Sequence, residues 1–86
     1  MKYQLADHVS FTEVDDEAVL LDLNSGAYYG LNHVGAMLMS YLQDQKTPEF
    51  ASTAIAKQYL TPHITVARDI ELLVQQLLEQ KLIVER

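Results

Sequence analysis

Cysteine is absent from these 86 residues, which removes disulfides, thiolate metal sites and a cysteine nucleophile and fits a reducing cytosol. Glycine and proline are scarce, at three and two residues. With 49% apolar and 21% charged residues the composition is that of a folded globular chain, neither fibrous nor disordered. No apolar run approaches the roughly 20 residues that span a membrane. The opening MKYQLADHVS lacks the long apolar segment of a secretion signal, so a cytoplasmic location is expected. Positive charge is also short: six Lys and Arg against twelve Asp and Glu give a net charge of −6, which repels a phosphate backbone on average. A single domain over 1–86 is expected, and at this size it buries about 60–65% of its unfolded surface. That supports one core and leaves little room for a deep enclosed active site. Enzyme, nucleic-acid binder and membrane protein are all disfavoured before any motif is read.

The residues that usually carry chemistry are present but not arranged for it. His8, His33 and His63 stand apart, with no i, i+4 pair and no cysteine to complete a metal site, and read as surface or capping residues. Ser25 precedes Gly26 without the flanking pattern of a nucleophile elbow. Asp15-Asp16-Glu17 lacks calcium-loop spacing and reads as a solvated turn. There is no glycine-rich phosphate loop. No catalytic residue, metal or cofactor is expected.

The first third reads as strands. Residues 9–14 alternate, with β-branched and aromatic types throughout. After the acidic turn, residues 18–23 place Val19, Leu21 and Leu23 on one face and Ala18, Leu20 and Asp22 on the other. Asn24-Ser25-Gly26 is a turn cluster. Residues 27–31 form a third strand, with Tyr29 and Leu31 opposite Tyr28 and Gly30. Gly30 in a strand suggests a bulge, a close approach of another backbone, or a simple bend before the next element.

The remainder reads as three helices. Asn32 is a good N-cap for a helix through about Gln45 with Val34, Met37, Leu38, Tyr41 and Leu42 on one side. Thr47-Pro48 opens a second, whose apolar side is Phe50, Ala51, Ala54, Ile55 and Tyr59. Thr61-Pro62 repeats the signal for a third helix running to about Gln80, although a start near Thr65 is also compatible. The tail Leu82-Ile83-Val84 is expected to fold back onto the core. The fold class is therefore α+β and winged-helix-like: a three-stranded antiparallel β-meander followed by three α-helices.

At about 100° per residue, Leu73, Val66, Leu77, Ile70, Val74, Ala67 and Leu78 of the third helix share an arc of about 140°, wide enough to be a core face. Leu72 falls outside it, near Asp69 and Gln76, and is either simply exposed or lines a shallow groove. Winged helices often bind DNA. Here the third helix carries Arg68 against Asp69, Glu71 and Glu79, the wrong sign for a recognition helix. The outer strands of a meander expose unpaired N–H and C=O groups that suit addition of an extended peptide. The third strand offers Tyr28 and Tyr29 and lacks the Lys or Pro that would blunt such an edge.

The run from Ala18 through Asn32, AVLLDLNSGAYYGLN, with Gly35 three residues on, resembles the PqqD-like family. Val66-Ala67-Arg68-Asp69-Ile70, then Leu73, Leu77 and Leu82-Ile83, is similar to that family's third helix and end, so the resemblance covers about residues 8–84. Asp7-His8-Val9-Ser10-Phe11 resembles the stand-alone members from lasso-peptide gene clusters. The resemblance implies a RiPP recognition element. Such a domain is non-catalytic and binds the leader of a ribosomally made precursor peptide. It presents that precursor to a cysteine-protease-like leader peptidase, without contacting nucleic acid or membrane. The leader would pair with the edge formed by Ala27, Tyr28, Tyr29, Gly30 and Leu31, facing a helix wall drawn from Val66, Asp69, Leu72, Leu73 and Gln76. Which margin of the apolar arc faces that cleft is left open by periodicity. The two other readings are a winged-helix DNA-binding regulator and a structural partner that docks on an enzyme.

Overall fold

A computed structural model describes residues 2–86, so Met1 of the expected 1–86 domain lies outside the described residues. The elements are β1 (Tyr3–Leu5), β2 (Val9–Val14), β3 (Glu17–Asp22), β4 (Tyr28–Leu31), α1 (His33–Gln43), α2 (Pro48–Tyr59), α3 (His63–Glu79) and β5 (Ile83–Glu85). The meander is as expected, an antiparallel sheet in the order β2-β3-β4. Beside it lies a two-stranded ribbon in which β1 pairs with β5, Gln4 opposite Val84. The ribbon gives the apolar tail its docking place, with Leu82 and Ile83 buried.

The alternation along the strands sets what faces the helices. Ala18 and Leu20 of β3 and Leu31 of β4 are buried, whereas Tyr28 and Gly30 point outward. Those three buried residues share one core with Leu38, Met39 and Leu42 of α1, Ile55 of α2 and Ile70 of α3. α1 is the helix that lies on β3 and β4, and α2 packs on α1 and α3. Pairing through β4 is regular, with Val19 opposite Gly30, so Gly30 does not mark a bulge. Phe50 and Tyr59, expected on the inner side of α2, stay 48% and 43% exposed, while Ser52 and Ala56 are buried. Both rings find partners at the rim instead: Phe50 meets Tyr41 edge-on and lies 5.0 Å from Lys46 Nζ, and Tyr59 meets His33 edge-on.

Helix starts follow their sequence signals closely. Asn32 accepts a hydrogen bond from the Gly35 N–H at 3.0 Å, and Thr47 accepts from Phe50 at 3.1 Å. The start of α3 departs by one residue. Pro62, not Thr61, is its N-cap, and no side chain caps it. The Thr61 N–H is already bonded to the Ala56 carbonyl and its hydroxyl to the Tyr59 carbonyl, so Thr61 serves the end of α2 instead.

All three helix ends close the same way. Gln45, Leu60 and Lys81 take positive φ (68°, 53° and 61°), and the next residue's N–H reaches back five positions, Lys46 to Tyr41, Thr61 to Ala56 and Leu82 to Leu77. This is the Schellman arrangement, and glycine is its usual occupant. At the β3–β4 connection the backbone N–H groups of Ser25 and Asn24, 3.2 and 2.9 Å from Asp22 Oδ1, hold the Asp22 carboxyl below its ordinary value of 3.8.

Three outcomes follow from this architecture. Asn32→Ala should lower the unfolding free energy by about 1 kcal/mol. Leu60→Gly should raise it by a few tenths to about 1 kcal/mol, because left-handed strain is relieved and the Leu60 side chain, 92% exposed, has no packing to lose. Urea unfolding midpoints measure both, and an unchanged or lower midpoint for Leu60→Gly would show the strain to be negligible. Because the folded carboxyl of Asp22 is depressed, its contribution is present above pH 3.8 and lost as pH falls through the lower folded value. A carboxyl titration followed by NMR should place the Asp22 midpoint below 3.8.

Candidate functional site

Hydrogen bonding in an antiparallel ladder alternates, so each residue of β4 turns its N–H and C=O either toward β3 or away from it. The Asp22 N–H bonds to the Ala27 carbonyl at 2.8 Å, which fixes the phase. Two residues on, Leu20 faces Tyr29, and then Ala18 faces Leu31. Tyr29 and Leu31 therefore bond to β3, whereas the N–H and C=O groups of Tyr28 and Gly30 point away from the sheet. The bond from the Leu23 N–H to the His8 carbonyl gives the same phase on the other side, where Val19 and Leu21 serve β2. No described strand lies beyond β4.

The opposite margin, along β2, is less open. Its Val9 N–H is already bonded to the Ala6 carbonyl at 3.0 Å, and the charged, exposed Glu13, Asp15 and Asp16 stand at its far end. The β4 margin borders a groove of about 390 Å³ formed with the start of α1 and one side of α3. Leu31, Val34, Ile70 and Leu73 supply its apolar side chains and Asp69 its single carboxylate. Gly35 allows the close packing behind it: a Cβ there would sit 3.1 Å from Leu31 Cβ and 3.5 Å from Leu73 Cδ2. The Asn32 cap holds that turn of α1 in place. At the far end the Tyr29 hydroxyl donates to Gln80 Oε1 at 3.4 Å, tying β4 to the end of α3.

Four of the residues expected to contact a peptide meet in this groove, namely Gly30, Leu31, Asp69 and Leu73. Tyr28 is 74% exposed on the strand beside it, and Tyr29 is half-buried beneath. Ala27 precedes β4, and its carbonyl is taken by Asp22. Leu72 and Gln76 lie exposed on α3, outside the groove lining, while Val66 turns into the core. Periodicity left open which margin of the apolar arc faces the cleft, and the structure decides it in favour of the side bearing Asp69 and Leu73. Asn32, Val34, Gly35 and Ile70 also line the groove. In the sequence these four stand out only as a cap (Asn32), as apolar helix positions (Val34 and Ile70) and as part of the family resemblance (Gly35), with nothing to mark them as groove lining.

The electrostatics are uniform in sign. Four surface grooves are each lined by Asp or Glu and none by Lys or Arg. Among the described residues no cluster of His, Cys, Asp and Glu is placed to hold a metal ion. No described helix is long and apolar enough to cross a membrane.

No curated protein matches the chain. Two solved structures do. "TbiB1 in Complex with the TbiA(beta) Leader Peptide" is 35% identical, with 96% of each chain covered and a TM-score of 0.88. "Lasso peptide synthetase B1 complexed with the leader peptide" is 28% identical, with 99% of this chain and 100% of that one covered and a TM-score of 0.90. The family described as coenzyme PQQ synthesis protein D (PqqD) matches residues 17–83, most of the chain and all of β3, β4 and the three helices. By that match and by these two likenesses, the chain belongs to the PqqD family, as a PqqD-like RiPP recognition element.

Proposed function

We propose that the chain is a non-catalytic adaptor of lasso-peptide biosynthesis. It binds the leader of a ribosomally made precursor as an added strand on β4 and presents the precursor to a leader peptidase. The observation that carries this reading is the outward-facing backbone of Tyr28 and Gly30 beside an apolar groove with one carboxylate. Main-chain bonds at such an edge hold any extended peptide, and the groove selects among side chains. Support also comes from the two similar structures, both complexes with leader peptides. The winged-helix DNA reading gains nothing from the geometry. The acidic residues of α3 outnumber Arg68, and a gel shift at low salt should show no retardation.

The test is a calorimetric titration with the leader peptide encoded beside the gene. Binding at tens of micromolar or tighter is expected, and none at that concentration with a folded chain would overturn the reading. Amide exchange then reports the register. In the free chain the Tyr28 and Gly30 amides should exchange fast and those of Tyr29 and Leu31 slowly, with leader protecting the first pair. Protection appearing elsewhere would move the site. Leu73→Asp should weaken leader binding by about tenfold or more, with some loss of stability because Leu73 also touches the core. Leu72→Asp, on an exposed position, tests the outer rim without that complication. Unchanged affinity for Leu72→Asp would confine the contact to the groove.

A further inference from the structure

The larger of the grooves on α3 is not the one beside β4. It measures about 580 Å³ and lies on the other side of the helix, between α3 and the first turns of α2. Ala67, Ile70, Val74 and Leu78 form its α3 wall, and Glu49 and Glu71 supply its charge. At about 100° per residue this wall and the Asp69–Leu73 side fall on opposite flanks of Ile70. Ile70 lines both grooves. The Ser52 hydroxyl, although it lines the groove, is bonded to the Pro48 carbonyl at 2.9 Å within its own helix. An apolar side chain can therefore cover this surface without stranding that polar group.

We infer that this second groove is the docking surface for the enzyme that processes the presented peptide, and that it receives an apolar segment of that enzyme flanked by Lys or Arg. The inference rests on the adaptor reading and extends it to the partner. An adaptor must hold its enzyme while the leader still occupies β4, so the enzyme needs a surface the leader leaves uncovered. The groove behind α3 is the largest of the four and is separated from the β4 edge by the width of that helix. Its rim carries two carboxylates and no Lys or Arg, which sets the sign of the partner segment.

The experiment compares the wild-type chain with Glu49→Lys/Glu71→Lys and with Ala67→Phe, which fills the groove. Each is titrated separately with the leader peptide and with the purified leader peptidase from the same gene cluster. Both variants should bind the peptidase about tenfold more weakly or worse and bind leader within about twofold of wild type. Circular dichroism checks the fold, and the charge variant, altered only at exposed positions, serves if Ala67→Phe fails to fold. Undiminished peptidase binding by the folded charge variant overturns the inference. So does a wild-type chain that binds leader and shows no affinity for the peptidase, and this leaves the adaptor reading intact. Leader affinity that falls with the charge reversal would seat the leader in this groove. A dimer abolished by the reversal would seat a second copy there. Either result overturns the assignment. Failure of the wild-type chain to bind leader would instead strike at the adaptor reading.

Discussion

Everything the β4 margin can do depends on the phase of one hydrogen-bond ladder. The bond between Asp22 and Ala27 aims Tyr29 and Leu31 at β3 and leaves Tyr28 and Gly30 facing outward. A slip of one residue would reverse every side chain on the strand, exposing Leu31 and burying Tyr28. The core thus fixes the phase, and the phase fixes which backbone groups are offered. Those two residues present four groups, each worth a net of about 0.5–1.5 kcal/mol when bonded. The total, about 2–6 kcal/mol, falls short of the roughly 8 kcal/mol of a micromolar complex before association entropy is counted. Backbone pairing alone therefore gives direction and register. Affinity must come from side chains entering the groove lined by Leu31, Ile70 and Leu73.

α3 serves the molecule in three directions at once. Its buried line of Val66, Ile70, Val74 and Leu77 anchors it in the core. One flank, with Asp69 and Leu73, completes the groove beside β4, and the other, with Ala67 and Leu78, faces α2. Such a helix has little freedom to shift toward one neighbour without leaving the other. The Tyr29–Gln80 bond and the β1–β5 ribbon restrain its C-terminal end further. Gly35 keeps this packing close, since a Cβ there would press on Leu31, 3.1 Å away, while only touching Leu73.

Element starts were legible in the sequence because capping chemistry is local: Asn32 and Thr47 bond residues three positions on. Element ends were not. The three glycines fall at 26, 30 and 35, so the positive-φ positions that close the helices are held by Gln45, Leu60 and Lys81, none of which advertises a stop. α1 was accordingly expected to reach Gln45 and ends at Gln43. β1 and β5 leave no signal in the sequence for another reason. Three residues carry too little alternation to read, and the pairing joins opposite ends of the chain. The helical period showed which residues of α3 share a face. It contained no information about the flank that borders β4, because that is set by how the helix crosses the sheet.

Gly30 sits in the middle of the β4 margin. A glycine within a strand costs roughly 0.5–1 kcal/mol relative to alanine, and is usually explained by positive φ, a bulge or crowding. None of these holds here. Gly26 is the glycine with positive φ, pairing through Gly30 is regular, and a Cβ at Gly30 would meet nothing within 4 Å. The folded chain by itself has no use for the missing side chain. What the glycine leaves clear is space on the outer face of the strand, at one of the two residues whose backbone faces outward. A neighbouring strand brings its own side chains within about 4.5–5.5 Å of those opposite, so a residue without a Cβ admits a larger partner at that position. On the adaptor reading, the only neighbour that requires this space is an arriving peptide.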